Sequence, residues 1–127
     1  MKNIEISAAQ RTPKVSLDVS RRIFEIEGES YPEDTKKFYE IPIAQVLEFL
    51  ALKHQDEVIC KFKFKYFNSS SAKVLMDLFT AIEDSANKGN KVKVEWYFIF
   101  DDDNMKELGE EFSEELSYAK FELIEYS

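Results

Sequence analysis

At 127 residues, 44% hydrophobic and 14% aromatic, the chain is the size of one domain, expected to span 1–127, and carries enough apolar material for a self-sufficient core. Three Gly, three Pro and 33% charged residues argue against a disordered or fibrous chain. The 25 acidic against 17 basic residues leave a net charge of −8, which repels phosphate backbones and anionic lipid, so nucleic acid and membrane are not expected partners.

No apolar run approaches the roughly 20 residues of a membrane span and no h-region follows Met1, so the expected location is the cytoplasm. Residues 3 to 7 and 14 to 18 alternate apolar and polar, as short strands do, with Thr12-Pro13 as the turn between them. They form either an N-terminal hairpin or two edge strands. A third strand, Arg22 to Glu27, is expected to end at Gly28, leaving Glu29-Ser30-Tyr31-Pro32-Glu33-Asp34 as a polar loop with one exposed tyrosine. A helix starts near Asp34, breaks around Ile41-Pro42 and resumes through Ile43, Val46, Leu47, Leu50 and Ala51, with Pro42 in the resumed first turn. His54, the only histidine, falls at the helix end, where it serves the last carbonyls; one histidine without partners makes no metal site.

The fourth strand, Glu57 to Phe67, sets Val58, Cys60, Phe62, Phe64 and Tyr66 against Lys61, Lys63 and Lys65. The fifth, Lys91 to Phe100, sets Val92, Val94, Trp96 and Phe98 against Lys93, Glu95 and Tyr97. Parallel strands covered on both faces read as continuous apolar runs, whereas these have one apolar and one charged face, so the helices belong on one side. Cys60 is expected to be core packing. The open face is expected to pair its lysines with Glu25, Glu27 and Glu95, and its Tyr97 and Ile99 are read either as isolated surface apolars or as a partner surface. A helix between these strands ends at Gly89. Asp101-Asp102-Asp103-Asn104 starts an amphipathic helix through Met105, Leu108, Phe112 and Leu116, and Lys120 to Tyr126 is the last strand, with Phe121 and Leu123 inward. The expected fold is α/β, a two-layer sandwich with a mixed, mostly parallel sheet and its helices mainly on one face.

The stretch Tyr66-Phe67-Asn68-Ser69-Ser70-Ser71-Ala72-Lys73 joins the fourth strand to the helix beginning Val74-Leu75. Ser and Asn at a helix start accept hydrogen bonds from amides without an intrahelical partner. That same end attracts negative charge, so the hydroxyls read either as caps or as phosphate acceptors. Catalysis has little support: there is no Gly-rich phosphate loop, dinucleotide fingerprint, Cys/His cluster or serine-nucleophile elbow, and the serines have no evident general base. No catalytic, cofactor or metal residue is assigned. The acidic run Asp101 to Asp103 lacks the spacing of a calcium loop, and a small metal-assisted enzyme using it, or a constitutive scaffold, remains the alternative.

Taken together, Gly28-Glu29-Ser30-Tyr31-Pro32-Glu33, Tyr66-Phe67-Asn68-Ser69-Ser70-Ser71, Trp96-Tyr97 with Asp101-Asp102-Asp103-Met105, and Gly109-Glu110-Glu111-Phe112 resemble the SiaC family of bacterial regulatory phosphoproteins, which are similar in fold to STAS domains. The resemblance implies a non-enzymatic switch in cyclic di-GMP signalling and biofilm regulation. It implies phosphorylation by a partner Ser/Thr kinase, reversal by a PP2C-type phosphatase, and a dephosphorylated form that binds an output partner such as a diguanylate cyclase. The family's acceptor, the hydroxyl after the asparagine, maps onto Ser69. Asn68, Ser70, Ser71 and Lys73 are its expected supports, with Ser70 and Ser71 also open as acceptors, and Glu29, Ser30, Tyr31 and Pro32 are the expected partner interface.

Overall fold

The computed structural model describes residues 1–127 and contains six strands and three helices. In chain order these are β1 (Ile4–Ile6), β2 (Lys14–Asp18), β3 (Ile23–Ser30), α1 (Thr35–Ala51), β4 (Val58–Phe67), α2 (Ser69–Asn87), β5 (Val92–Ile99), α3 (Asp103–Ser113) and β6 (Lys120–Tyr126). The strands form one sheet in sequence order, β1 and β2 as an antiparallel N-terminal hairpin, β2 antiparallel to β3, and β3 through β6 parallel. Each helix is the crossover between two adjacent parallel strands, as short connections between neighbouring strands require.

The alternation of β4 and β5 places the helices. Val58, Cys60, Phe62, Phe64, Val92, Val94, Trp96 and Phe98 are buried in one cluster with Val46, Phe49 and Leu50 of α1, Leu75, Leu78, Phe79 and Ile82 of α2, and Met105 and Phe112 of α3. The other face carries lysine and glutamate pairs, with Lys63 and Lys93 paired as expected, Lys14 and Glu122 joining them, and Lys61 and Lys65 in no ion pair. Lys14 meets Glu25 at 2.9 Å, Lys63 meets Glu27 at 3.8 Å, and Lys93 bridges Glu95 at 3.3 Å and Glu122 at 2.8 Å. Tyr97 donates to Glu95 at 2.9 Å, and burial, then that carboxylate, push its phenol up to about 12. Cys60 is core material, and burial raises its thiol to about 12, far from a reactive thiolate.

Trp96 is the centre of the core. It is fully buried among Phe62, Phe64, Phe67, Phe79 and Phe112, and its indole N–H donates to the Met105 carbonyl at 3.0 Å. Helix α3 sits on the indole through Gly109, where a Cβ would fall 2.5 to 2.9 Å from three indole ring atoms. No larger residue permits that approach.

Several expectations are corrected. Helix α1 is unbroken through Pro42, which is buried with Tyr39, Val46, Phe49 and Leu50; the packing of that face outweighs the lost intrahelical bond. Strand β3 does not stop at Gly28 but continues to Ser30, because Gly28 adopts φ 119° and the ladder shifts there. Gly28 pairs with Phe64 and Glu29 with Tyr66, leaving one extra residue on β4. That bulge reverses the side-chain phase at the end of β4: Tyr66 turns outward, 50% exposed, and Phe67 turns in against Phe64, Trp96 and Phe112.

Candidate functional site: the start of helix α2

The bulged end of β4 leads directly into α2. Asn68 is the N-cap, extended at φ −85° and ψ 175°, and its Oδ1 accepts the Ser71 amide at 2.9 Å. The first intrahelical bond runs from the Ala72 amide to the Asn68 carbonyl at 2.9 Å. The amides of Ser69 and Ser70 therefore have no intrahelical acceptor. Ser69 and Ser70 are exposed, whereas Ser71 is 1% exposed.

Ser71 thus differs from its two neighbours, although the sequence left all three open as acceptors. Its hydroxyl lies 2.7 Å from the Ser30 hydroxyl and donates to the Ser30 carbonyl at 3.1 Å. The Ser30 hydroxyl in turn lies 2.6 Å from Tyr39 Oη on α1. Burial raises the Tyr39 phenol above its ordinary value, against the lowering effect of the nearby Ser30 and Ser71 hydroxyls, so it keeps its proton. Ser30, expected on a surface loop, is a fully buried strand residue, and Pro32 is buried beside it. Of the expected interface only Glu29 and the half-buried Tyr31 reach solvent. Tyr31 is not isolated: its ring meets Tyr66 edge-to-face at 5.9 Å.

Lys73 is exposed and lines a groove of about 570 Å³ with Ser70, Glu33, Asp34, Thr35, Lys36, Val74 and Asp77, between the starts of α1 and α2. Ser69 stands outside that groove. Asp34 caps α1 by accepting the Lys37 amide, and Asp102 caps α3 by accepting the Met105 amide at 3.0 Å. Asp101, Asp102 and Asp103 do not converge, and no three His, Cys, Asp or Glu side chains form a group able to hold a metal ion. His54 contacts the Phe49 carbonyl through Nε2 at 2.8 Å, the helix-end role expected of it.

Tyr39 and the structural use of Ser30 were missed from sequence. Tyr39 shares the helical spacing of Pro42, Val46 and Phe49, and a tyrosine on a buried face needs a partner for its hydroxyl. Ser71 precedes Leu75 by one turn and Leu78 by two, which already puts it on the buried face of α2.

The class defined so far is a one-sided α/β sandwich whose distinctive surface is a capped helix start bearing two exposed hydroxyls and no catalytic group of acids or histidines. The family model described as SiaC family regulatory phosphoprotein matches residues 6–126, and the chain belongs to that family. It is 30% identical over 118 residues to an uncharacterized protein of Pseudomonas aeruginosa strain UCBPP-PA14, covering 93% of each chain. Its fold is similar to the crystal structure of apo-SiaC from Pseudomonas aeruginosa, with TM-score 0.86, 31% identity, and 98% of this chain and 99% of that one covered. It is also similar to SiaC in the crystal structure of the diguanylate cyclase SiaD in complex with its activator SiaC, with TM-score 0.89, 28% identity, and 97% and 99% covered. No helix is long and apolar enough to cross a membrane.

Proposed function

We propose that residues 1–127 act as one cytoplasmic, non-enzymatic regulatory domain, phosphorylated on Ser69 by a partner kinase and restored by a PP2C-type phosphatase. In the dephosphorylated state it binds and activates an output partner, for which a diguanylate cyclase is the leading class. The observation that carries this reading is the exposed Ser69 at the first position of a capped helix, in a member of a regulatory phosphoprotein family. That a relative is the activator of a cyclase supports the choice of output.

The host fold tolerates the modification. A phosphate brings about −1.5 to −2 charge, and at this position it meets the positive end of α2 and the unpaired amides of Ser69 and Ser70. A partner burying the turn must instead desolvate the dianion or match it with its own cations, so output binding falls on phosphorylation. The acidic cluster favours no enzyme, because Asp102 is committed to capping α3. Intact-mass measurement of protein isolated from its own host, before and after PP2C treatment, tests the proposal. A phosphate-sized difference localised to Ser69 is expected, and unmodified protein under every growth condition refutes it in favour of a constitutive scaffold.

A further inference from the structure

The buried hydroxyls beneath the Asn68–Ser71 turn are arranged as a fastening. The Ser30 carbonyl accepts both the Asn68 amide at 3.0 Å and the Ser71 hydroxyl at 3.1 Å. One residue of β3 thereby holds both ends of the turn, and the two residues between them, Ser69 and Ser70, are the ones left exposed. Each hydroxyl has one proton to give. Since Ser71 donates to the Ser30 carbonyl, Ser30 must donate to Ser71, and Tyr39 to Ser30. The run starts on α1, crosses β3 and ends under α2, leaving none of its members without a partner.

We propose that Ser30, Tyr39 and Ser71 are positioning residues for modification at Ser69: their buried hydroxyl run holds the first turn of α2 so that the Ser69 and Ser70 amides face a phosphate on Ser69. The inference rests on the reading of Ser69 as acceptor. It gives the three consecutive serines different duties, with Ser71 the anchor and not a spare acceptor. It also places Glu29 and Tyr31, which flank Ser30, on the segment to which the turn is fastened. Removing the Tyr39 hydroxyl leaves Ser30 without its donor while the ring stays in place. Removing the Ser71 hydroxyl releases one of the two ends.

The test uses full-length protein with phosphoserine installed at position 69 during translation, in the wild type, Tyr39→Phe and Ser71→Ala backgrounds, with a short phosphoserine peptide as reference. The readout is the ³¹P NMR titration of the phosphate. Its second ionisation, near 6 in the peptide, is expected about 0.2–0.7 pH unit lower in the wild type, the usual strength of a charge at a helix start. Both variants should return at least halfway to the peptide value while keeping a near-native near-ultraviolet dichroism spectrum. A wild-type midpoint equal to the peptide's, or folded variants with the wild-type midpoint, overturns the proposal. Tyr39→Phe removes one oxygen only and decides the matter if Ser71→Ala does not fold. Phosphorylation of unmodified wild type by the cognate kinase separates the two readings. Modification elsewhere than Ser69 defeats the acceptor assignment, whereas the titration judges the positioning run independently.

Discussion

Gly109→Ala is expected to destabilise the protein although it places a better helix former inside α3. Alanine over glycine in a helix interior contributes about 1 kcal/mol in favour. Against it, the new Cβ falls 2.5 Å from Cδ1, 2.7 Å from Nε1 and 2.9 Å from Cγ of Trp96. The indole has no room to retreat, because it is fully buried among five phenylalanines. Overpacking a core costs about 1–3 kcal/mol. Displacing α3 also strains the indole bond to the Met105 carbonyl, worth about 1 kcal/mol. The balance is a net loss of about 1–3 kcal/mol, read as a lower urea midpoint at unchanged m-value and a Tm lower by several degrees. Glu110→Ala, at the exposed neighbouring position, serves as control and should stay within about 0.5 kcal/mol of wild type. A Gly109→Ala protein as stable as wild type would refute the close seating of α3 on Trp96.

Trp96→Ala should cost about 3–5 kcal/mol and Lys63→Ala under about 1 kcal/mol, and equal urea midpoints would reverse the assignment of the two sheet faces. Ser71→Ala should lose about 1–3 kcal/mol, since it deprives buried Ser30 of a partner, while Ser69→Ala should change unfolding free energy by less than about 0.5 kcal/mol; equal losses in chemical denaturation would contradict their division of labour. Glu83 accepts the amides of Ser117, Tyr118 and Ala119, and although desolvation acts to raise its carboxyl, these three bonds prevail and hold it below its ordinary 4.5. Its contribution is therefore present above the unfolded value and lost as pH falls through the lower folded one, so the stability gap between wild type and Glu83→Gln should shrink as denaturation is repeated from neutral to acid pH. A gap that widened on acidification would reverse the sign of that linkage.

The layer arrangement was legible because period-two alternation in β4 and β5 states directly which side is dry. The cap was legible too, since Asn followed by serines at the end of a strand has a physical reason to start a helix. What escaped were features set by tertiary contact. The continuity of α1 through Pro42 depends on burial of that face, which local propensity does not contain. The bulge beside Gly28 moved Tyr66 out and Phe67 in, and no periodicity within β4 alone reports an extra residue in its ladder with β3. Ser30 looked like part of a polar loop because Gly28 was read as a stop; its left-handed backbone instead carries the strand onward, delivering Ser30 beneath α2. The function of the turn rested on the family resemblance, because capping and phosphate acceptance use the same residue types at the same place.

The central claim is that Ser69 carries the switch. The most direct measurement is site-resolved mass spectrometry of the wild type and of Ser69→Ala, Ser70→Ala and Ser71→Ala after exhaustive treatment with the cognate kinase. Wild type, Ser70→Ala and Ser71→Ala should each take one phosphate on Ser69, and Ser69→Ala should take none. Full phosphorylation of Ser69→Ala would contradict the assignment.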